Sequence, residues 1–304
     1  MHLFGGGDGG VRRWRLADGE EAPGKQAGIW VYSISVSMDQ KWVVHGTDKG
    51  ASVWDAELHE KLVDVECENS VWTVDVSPDS TKFAIGTGSG DNKASIWDII
   101  TGKRLVGPLQ HDNYVTGVRF SPDGEHIATS CWGSSVRIFD SRNGDEVIAI
   151  TTTSPSEWPI TPLAWSNDCQ QIFTISDDNK IKLFTVSTGS QITESPILVD
   201  GHISIALAPN GKFIVAYAGP SILFLDASTL AHIVPAIEVG GDIYSITISP
   251  DGSYLACGQG NGKINVRGLG SILPDSYGPF QVSICPLTMS SCRVCPIPSS
   301  PLTY

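Results

Sequence analysis

A short turn sequence, Ser-Pro-Asp-Gly or a near variant, returns six times at almost constant distance, and this repetition admits few architectures. It stands at Ser37-Met38-Asp39-Gln40, Ser77-Pro78-Asp79-Ser80, Ser121-Pro122-Asp123-Gly124, Ser166-Asn167-Asp168-Cys169, Ala208-Pro209-Asn210-Gly211 and Ser249-Pro250-Asp251-Gly252, spaced by 40, 44, 45, 42 and 41 residues. A second signal keeps step, an apolar or aromatic residue usually followed by Asp: Trp14, Trp54-Asp55, Trp97-Asp98, Phe139-Asp140, Phe184, Leu225-Asp226 and Val266. Ahead of each turn apolar and polar residues alternate, as in Val71 to Val76, and behind it runs a second apolar stretch such as Lys82 to Gly86. Both have the period of a strand. The turn suits a tight hairpin, because Pro sets φ, Asp or Asn bonds its own backbone and Gly accepts positive φ. A third strand ends at the Trp-Asp position, and a polar turn such as Thr101-Gly102-Lys103 leads to a fourth. Four short antiparallel strands in each unit of about 40 to 45 residues make the blade of a β-propeller.

Composition agrees. Hydrophobic residues are 41% and charged residues 17%, with 32 Gly and 18 Pro, which fits a turn-rich β chain and disfavours a disordered or coiled-coil one. A formal charge of −13 repels phosphate backbones and anionic membrane surfaces, so neither nucleic acid nor membrane is an expected partner. No stretch approaches 18 apolar residues, and the start, MHLFGGGDGGVRRWR, lacks a signal-peptide core. An intracellular location, cytoplasmic or nuclear, is expected. Cys67, Cys131, Cys169 and Cys257 stand singly among apolar residues and read as small core residues.

Through Trp54-Asp55, Trp97-Asp98 and the turns Ser121 to Gly124 and Ser249 to Gly252, residues 1–270 resemble the WD40 repeat family. The resemblance implies an all-β, seven-bladed propeller of four-stranded antiparallel blades, with residues 1–22 as a partial blade followed by six repeats. It also implies recruitment of partner proteins or peptides on the top face, the side or the central channel. An Asp six residues before the Trp-like position marks the hairpin between second and third strands: Asp8, Asp48, Asp91 and Asp178, with Gly133, Gly219 and Gly260 in the other repeats. In the family this Asp joins a buried network with a His, a Ser or Thr and the Trp. Here no repeat has the full set, since His111 precedes the repeat with Gly133 and His202 the one with Gly219.

A ring buries its edge strands when both chain ends meet in one blade. The N-terminal unit starts at a second strand, and Gln281 to Thr288 can be laid over the inner strand of the sixth repeat, so this stretch is expected to supply the missing inner strand. The alternative is an unpaired tail, since residues 271–304 are rich in Pro and Cys and hold only Asp275 and Arg293 as charges.

Chemistry is sparse. Cys292-Arg293-Val294-Cys295, with Cys285 nearby, is half of a zinc pattern with no second ligand pair after it. His59-Glu60 has no second His one helical turn on. The Gly-rich stretches Gly86 to Gly90 and Gly258 to Gly262 lie between strands rather than before a helix, and read as hairpin turns. No G-x-S-x-G occurs. No catalytic residue, metal or cofactor is therefore expected.

Binding is expected at one rim. The inner-strand entrances hold Trp30 and Tyr32, Trp72, Tyr114, Trp158 and Tyr244, and the turns before the third strand hold Trp132 and Asp177. Such aromatics supply contact area at low entropic cost. Packing between blades is the competing role for each ring, and turn capping for each Asp. Carboxylates on that rim, Asp48, Asp91, Asp177 and Asp178, favour a basic partner segment. The reading is a non-catalytic interaction scaffold. Its rivals are a propeller enzyme of the quinoprotein-dehydrogenase type and a fragment of a larger signalling ATPase with a WD40 sensor array.

Overall fold

The computed structural model describes residues 2–7, 10–15, 18–22, 30–58, 60–88, 90–132, 135–151, 162–175, 180–196, 204–278 and 287–289. Their strands form six four-stranded antiparallel sheets and one three-stranded sheet, and no α-helix occurs among them. The inner strands of blades 1 to 6 are Val31–Val36, Val71–Val76, Val115–Phe120, Ala164–Trp165, Ile205–Leu207 and Ile243–Ile248. Each blade adds its remaining strands outward by hairpins. Alternation along the strands turns one apolar set to each neighbouring blade. Thus Val44, Ala51 and Val53 of blade 1 pack on Val74, Phe83 and Ile85 of blade 2, and Ala84, Ala94 and Ile96 of blade 2 pack on Val118, Ile127 and Phe139 of blade 3.

Seven four-stranded blades are expected from the repeat, and six form. The N-terminal unit has three strands among the described residues, because its first one, His2–Gly7, runs in second-strand register against Gly10–Arg15. This sheet fills the gap between the end blades. Trp14 is buried on Ile264 and Val266 of blade 6, His2–Gly7 lies against the inner strand of blade 1, and an Arg13 guanidinium nitrogen donates to the Ala56 carbonyl at 2.7 Å. The inner-strand role expected of Gln281 to Thr288 is not seen in the described residues. Leu287–Met289 instead pairs with Ile264–Gly268 as the outer strand of blade 6. The physical reason lies just upstream. Residues 269–277 form two 3-10 turns, with Tyr277 Oη donating to Asp226 at 3.0 Å, so the third strand of blade 6 would otherwise keep an open edge.

The repeating turn is built by its Ser and Asp together. Ser77 Oγ donates to Asp79 at 2.6 Å and accepts the Lys82 amide at 2.9 Å, while Asp79 accepts the Thr81 amide at 3.1 Å. The same pattern recurs at Ser37, Ser121, Ser166 and Ser249. Its fourth residue takes positive φ, 72° at Gly124 but also 60° at Gln40, Ser80 and Cys169. A side chain is disfavoured there by steric contact with the following carbonyl. Gln40→Gly, on an exposed turn, is expected to raise stability by about 0.5 to 1 kcal/mol, less than the full strain because Gly also loosens the unfolded chain. A urea midpoint that falls rather than rises would refute this.

The Asp of each Trp-Asp pair closes the turn to the outer strand. Asp98 accepts the amides of Ile100 and Thr101 at 3.1 and 2.7 Å, and Asp226 those of Ser228 and Thr229 at 3.0 Å each. Around the channel, side chains of one inner strand satisfy amides of the next. Ser33 and Ser35 accept from Val74 and Val76 at 3.1 and 3.3 Å, and Thr73 and Asp75 accept from Val118 and Phe120 at 3.2 and 2.9 Å.

Candidate functional site: an aromatic rim

Four of the expected rim aromatics meet. Tyr32 stacks on Trp72 with ring centroids 6.2 Å apart, Trp72 lies 5.8 Å from Tyr114, and Tyr114 lies 5.6 Å from Trp132. The row crosses three blades because each ring stands at the same end of its strand. Tyr32 and Trp72 are second residues of inner strands, Tyr114 precedes the inner strand of blade 3, and Trp132 follows the second strand of that blade. The Trp132 amide donates to the Tyr114 carbonyl at 2.9 Å, which holds the last two together. Trp72 lies close over backbone, since a Cβ on Gly88 would come within 3.2 Å of its indole. Trp72, Tyr114 and Trp132 are half-buried, whereas Tyr32 keeps 37% and Trp30 43% of its surface exposed. The rings therefore share a part-wetted surface.

Other expected site residues fall elsewhere. Tyr244 is half-buried on blade 6 and packs against Gly260, where a Cβ would lie 2.4 Å from its ring. It has no ring contact with the row among the described residues. Asp48 is exposed in its turn, while Asp91 accepts the Thr87 hydroxyl at 2.6 Å and so ties its own hairpin. Asp8, Trp158, Asp177 and Asp178 lie outside the described residues, as do Cys285, Cys292 and Cys295. Sequence reasoning missed two exposed carboxylates, Glu66 and Glu68, in the connection leading to Trp72. Their signal was present in the acidic run Glu66-Cys67-Glu68, which ends four positions before Trp72 at the inner-strand entrance.

Burial, with Asp91 adding, pushes the thiol of Cys67 between them up to about 11, which disfavours the thiolate. Nearby, His111 is buried, with Nδ1 2.9 Å from the Leu109 carbonyl and Nε2 2.8 Å from the Thr129 hydroxyl. A carbonyl only accepts, so Nδ1 carries the proton and Nε2 accepts from Thr129. The ring edge meets Phe139 at 5.8 Å. This supplies the His and Thr parts of the family network, with Phe139 where the Trp would stand and the Leu109 carbonyl occupying Nδ1. Among the described residues no group of three or more His, Cys, Asp or Glu is placed to hold a metal, and no helix is long and apolar enough to cross a membrane.

Residues 61–98, 103–140 and 234–266 match the family described as WD domain, G-beta repeat. Serine-threonine kinase receptor-associated protein of Gallus gallus is 27% identical over 65% of this chain and 54% of its own length. WD repeat-containing protein 1 of Mus musculus is 29% identical over 49% of this chain and 23% of its own length. The chain thus spans about half of the first relative and under a quarter of the second. Among solved structures, the β-propeller domain of Cps50 (Swd1) from Myceliophteria thermophila superposes with a TM-score of 0.70 at 16% identity, over 88% of this chain and 93% of that one. With its in-phase turns, its four-stranded blades and these likenesses, the chain is a β-propeller that carries WD40 repeats.

Proposed function

We propose that this propeller is a non-catalytic scaffold that docks partner proteins or peptides on the rim bearing Tyr32, Trp72, Tyr114 and Trp132. The observation that carries the reading is the unbroken contact of these rings across three blades. Rings packed only for stability would be sunk in the core, as Trp14 is at 2% exposure. Rings in a half-exposed row are pre-ordered contact area, the kind of anchor that dominates binding energy. The formal charge of −13 and the exposed Asp48, Glu66 and Glu68 favour partners whose contacting segment is basic. The thiols of Cys67, Cys169 and Cys257 form no disulfide among the described residues, which suits a reducing cytoplasmic or nuclear setting.

The test is affinity capture from cell extract, with the intact protein beside the Trp72→Ala/Tyr114→Ala variant. Specific partners are expected to fall at least about tenfold on the variant, as truncation of two central anchors implies, while its thermal midpoint stays within a few degrees. Equal recovery of the same partners on both proteins would move docking away from this rim.

A further inference from the structure

We propose that the aromatic row takes a polyproline II segment that carries a basic flank, an inference that rests on the docking role of the rim. The first support is metric. A polyproline II helix rises about 3.1 Å per residue with three residues per turn, so it turns the same side toward a surface about every 9 Å. The rings from Tyr32 to Trp132 are spaced by 6.2, 5.8 and 5.6 Å. Two turns of such a helix, roughly six residues, match the length of the row and turn about one proline per turn toward it. The second support is hydrogen bonding. A polyproline II segment has no internal hydrogen bonds, so its carbonyls seek donors. The two central rings offer them: among the described residues neither Trp72 Nε1 nor Tyr114 Oη has a hydrogen-bond partner, and both side chains are half-exposed.

The third support is charge. Asp48, Glu66 and Glu68 are exposed at the blade 1 end of the row, against Lys49 as the exposed cation of the same stretch. Hydrogen bonds place these segments together, since the Cys67 amide donates to the Lys49 carbonyl at 3.0 Å and the Gly88 amide to the Ser70 carbonyl at 3.2 Å. Arginine suits this end, because its guanidinium both pairs with carboxylates and lies flat on aromatic rings. Nucleobases also stack on such rows, but their phosphates would face a protein of formal charge −13. A proline segment is already stiff, so little entropy is lost when it docks.

Calorimetric titration of the full chain tests this with four probes: eight prolines followed by two arginines, a Gly/Ser octamer followed by two arginines, eight prolines followed by two glutamates, and oligothymidine. The first is expected to bind at least tenfold tighter than the other three. Trp72→Ala is expected to weaken it at least tenfold. Tyr114→Phe, which keeps the ring and the fold, is expected to weaken it about threefold, the loss of one hydroxyl bond. Equal binding of the Gly/Ser probe, tighter binding of oligothymidine, no binding of the first probe, or indifference to both substitutions would overturn the proposal. The docking role would survive any of these if cellular partners were still lost from the Trp72→Ala/Tyr114→Ala protein.

Discussion

Lowering the pH from 7 to 5 is expected to remove about 4 kcal/mol of folding stability, most of it through two histidines. His45 has no exposed surface, and neither ring nitrogen has a hydrogen-bond partner among the described residues. It stacks on Trp54 at 6.2 Å, on the face of blade 1 opposite to Val44 and Val53. Burial pushes its imidazole down to about 4, with Asp64 opposing and Lys61 adding. Burial likewise lowers His111 to about 4, opposed by its bond to the Leu109 carbonyl and by Asp112, and assisted by Arg137.

In the unfolded chain both titrate near 6.5. The unfolded state therefore binds more protons, so the stability held above pH 6.5 is lost as pH falls toward 4. At about 1.36 kcal/mol per unit, each histidine accounts for about 2 kcal/mol by pH 5. Hydrogen bonds hold Asp98, Asp140 and Asp226 below the usual carboxylate range, so their contribution disappears only in stronger acid. Asp75, raised by burial, is protonated first in the folded state and works against the loss. Urea unfolding at pH 5, 6 and 7 checks the sum. His45→Ile, which installs the residue that stands at the matching place in blade 2 as Ile85, is expected to remove about half of the pH dependence. A stability that does not change between pH 7 and 5 would contradict the assignment.

Gly50→Ala is expected to cost about 3 kcal/mol or more, enough to lower the yield of folded protein. Gly50 has φ of 140°, and a Cβ there would lie 1.9 Å from the Val65 carbonyl oxygen. That oxygen is backbone, so the clash cannot be relieved by turning a side chain. Gly50 pairs with Thr47 on one side and Glu66 on the other, so separating the strands would break both ladders. Lys49→Ala, one residue away and exposed, is expected to stay within about 0.5 kcal/mol. Circular dichroism melts of the two variants distinguish the cases. A Gly50→Ala midpoint equal to that of Lys49→Ala would show that the turn can rearrange.

The blades were legible because their turns are chemically demanding. A Ser that must both donate to Asp39, Asp79 or Asp123 and accept a backbone amide leaves a fixed mark every 40 to 45 residues. The rim positions were legible for the same reason, since counting from the turns reached Tyr32 and Trp72 five residues before, Tyr114 seven before and Trp132 eleven after. Their mutual contact was not, because it depends on how far neighbouring blades are rotated about the ring, and no residue pattern encodes that angle. The outer-strand place of Leu287–Met289 was also hidden. The backbone of any short extended segment satisfies an open edge, and the pairing partner is chosen by where the two 3-10 turns leave the chain. His45 gave no warning either, for at that depth an imidazole occupies the same strand position as Ile85 or Thr129.

The amides of these inner strands are satisfied in one rotational sense, blade 1 lending hydroxyl acceptors to blade 2, and blade 2 a hydroxyl and a carboxylate to blade 3. Blades 1 to 3 are therefore not interchangeable tiles, although they share a fold. A circular permutation keeps every neighbour and every one of these bonds. Exchanging blades 2 and 3 would set Gly117 and Arg119 where Thr73 and Asp75 now serve, and the next blade would find neither acceptor. The ring is thus indifferent to where its chain is cut, yet sensitive to the order in which its blades follow one another.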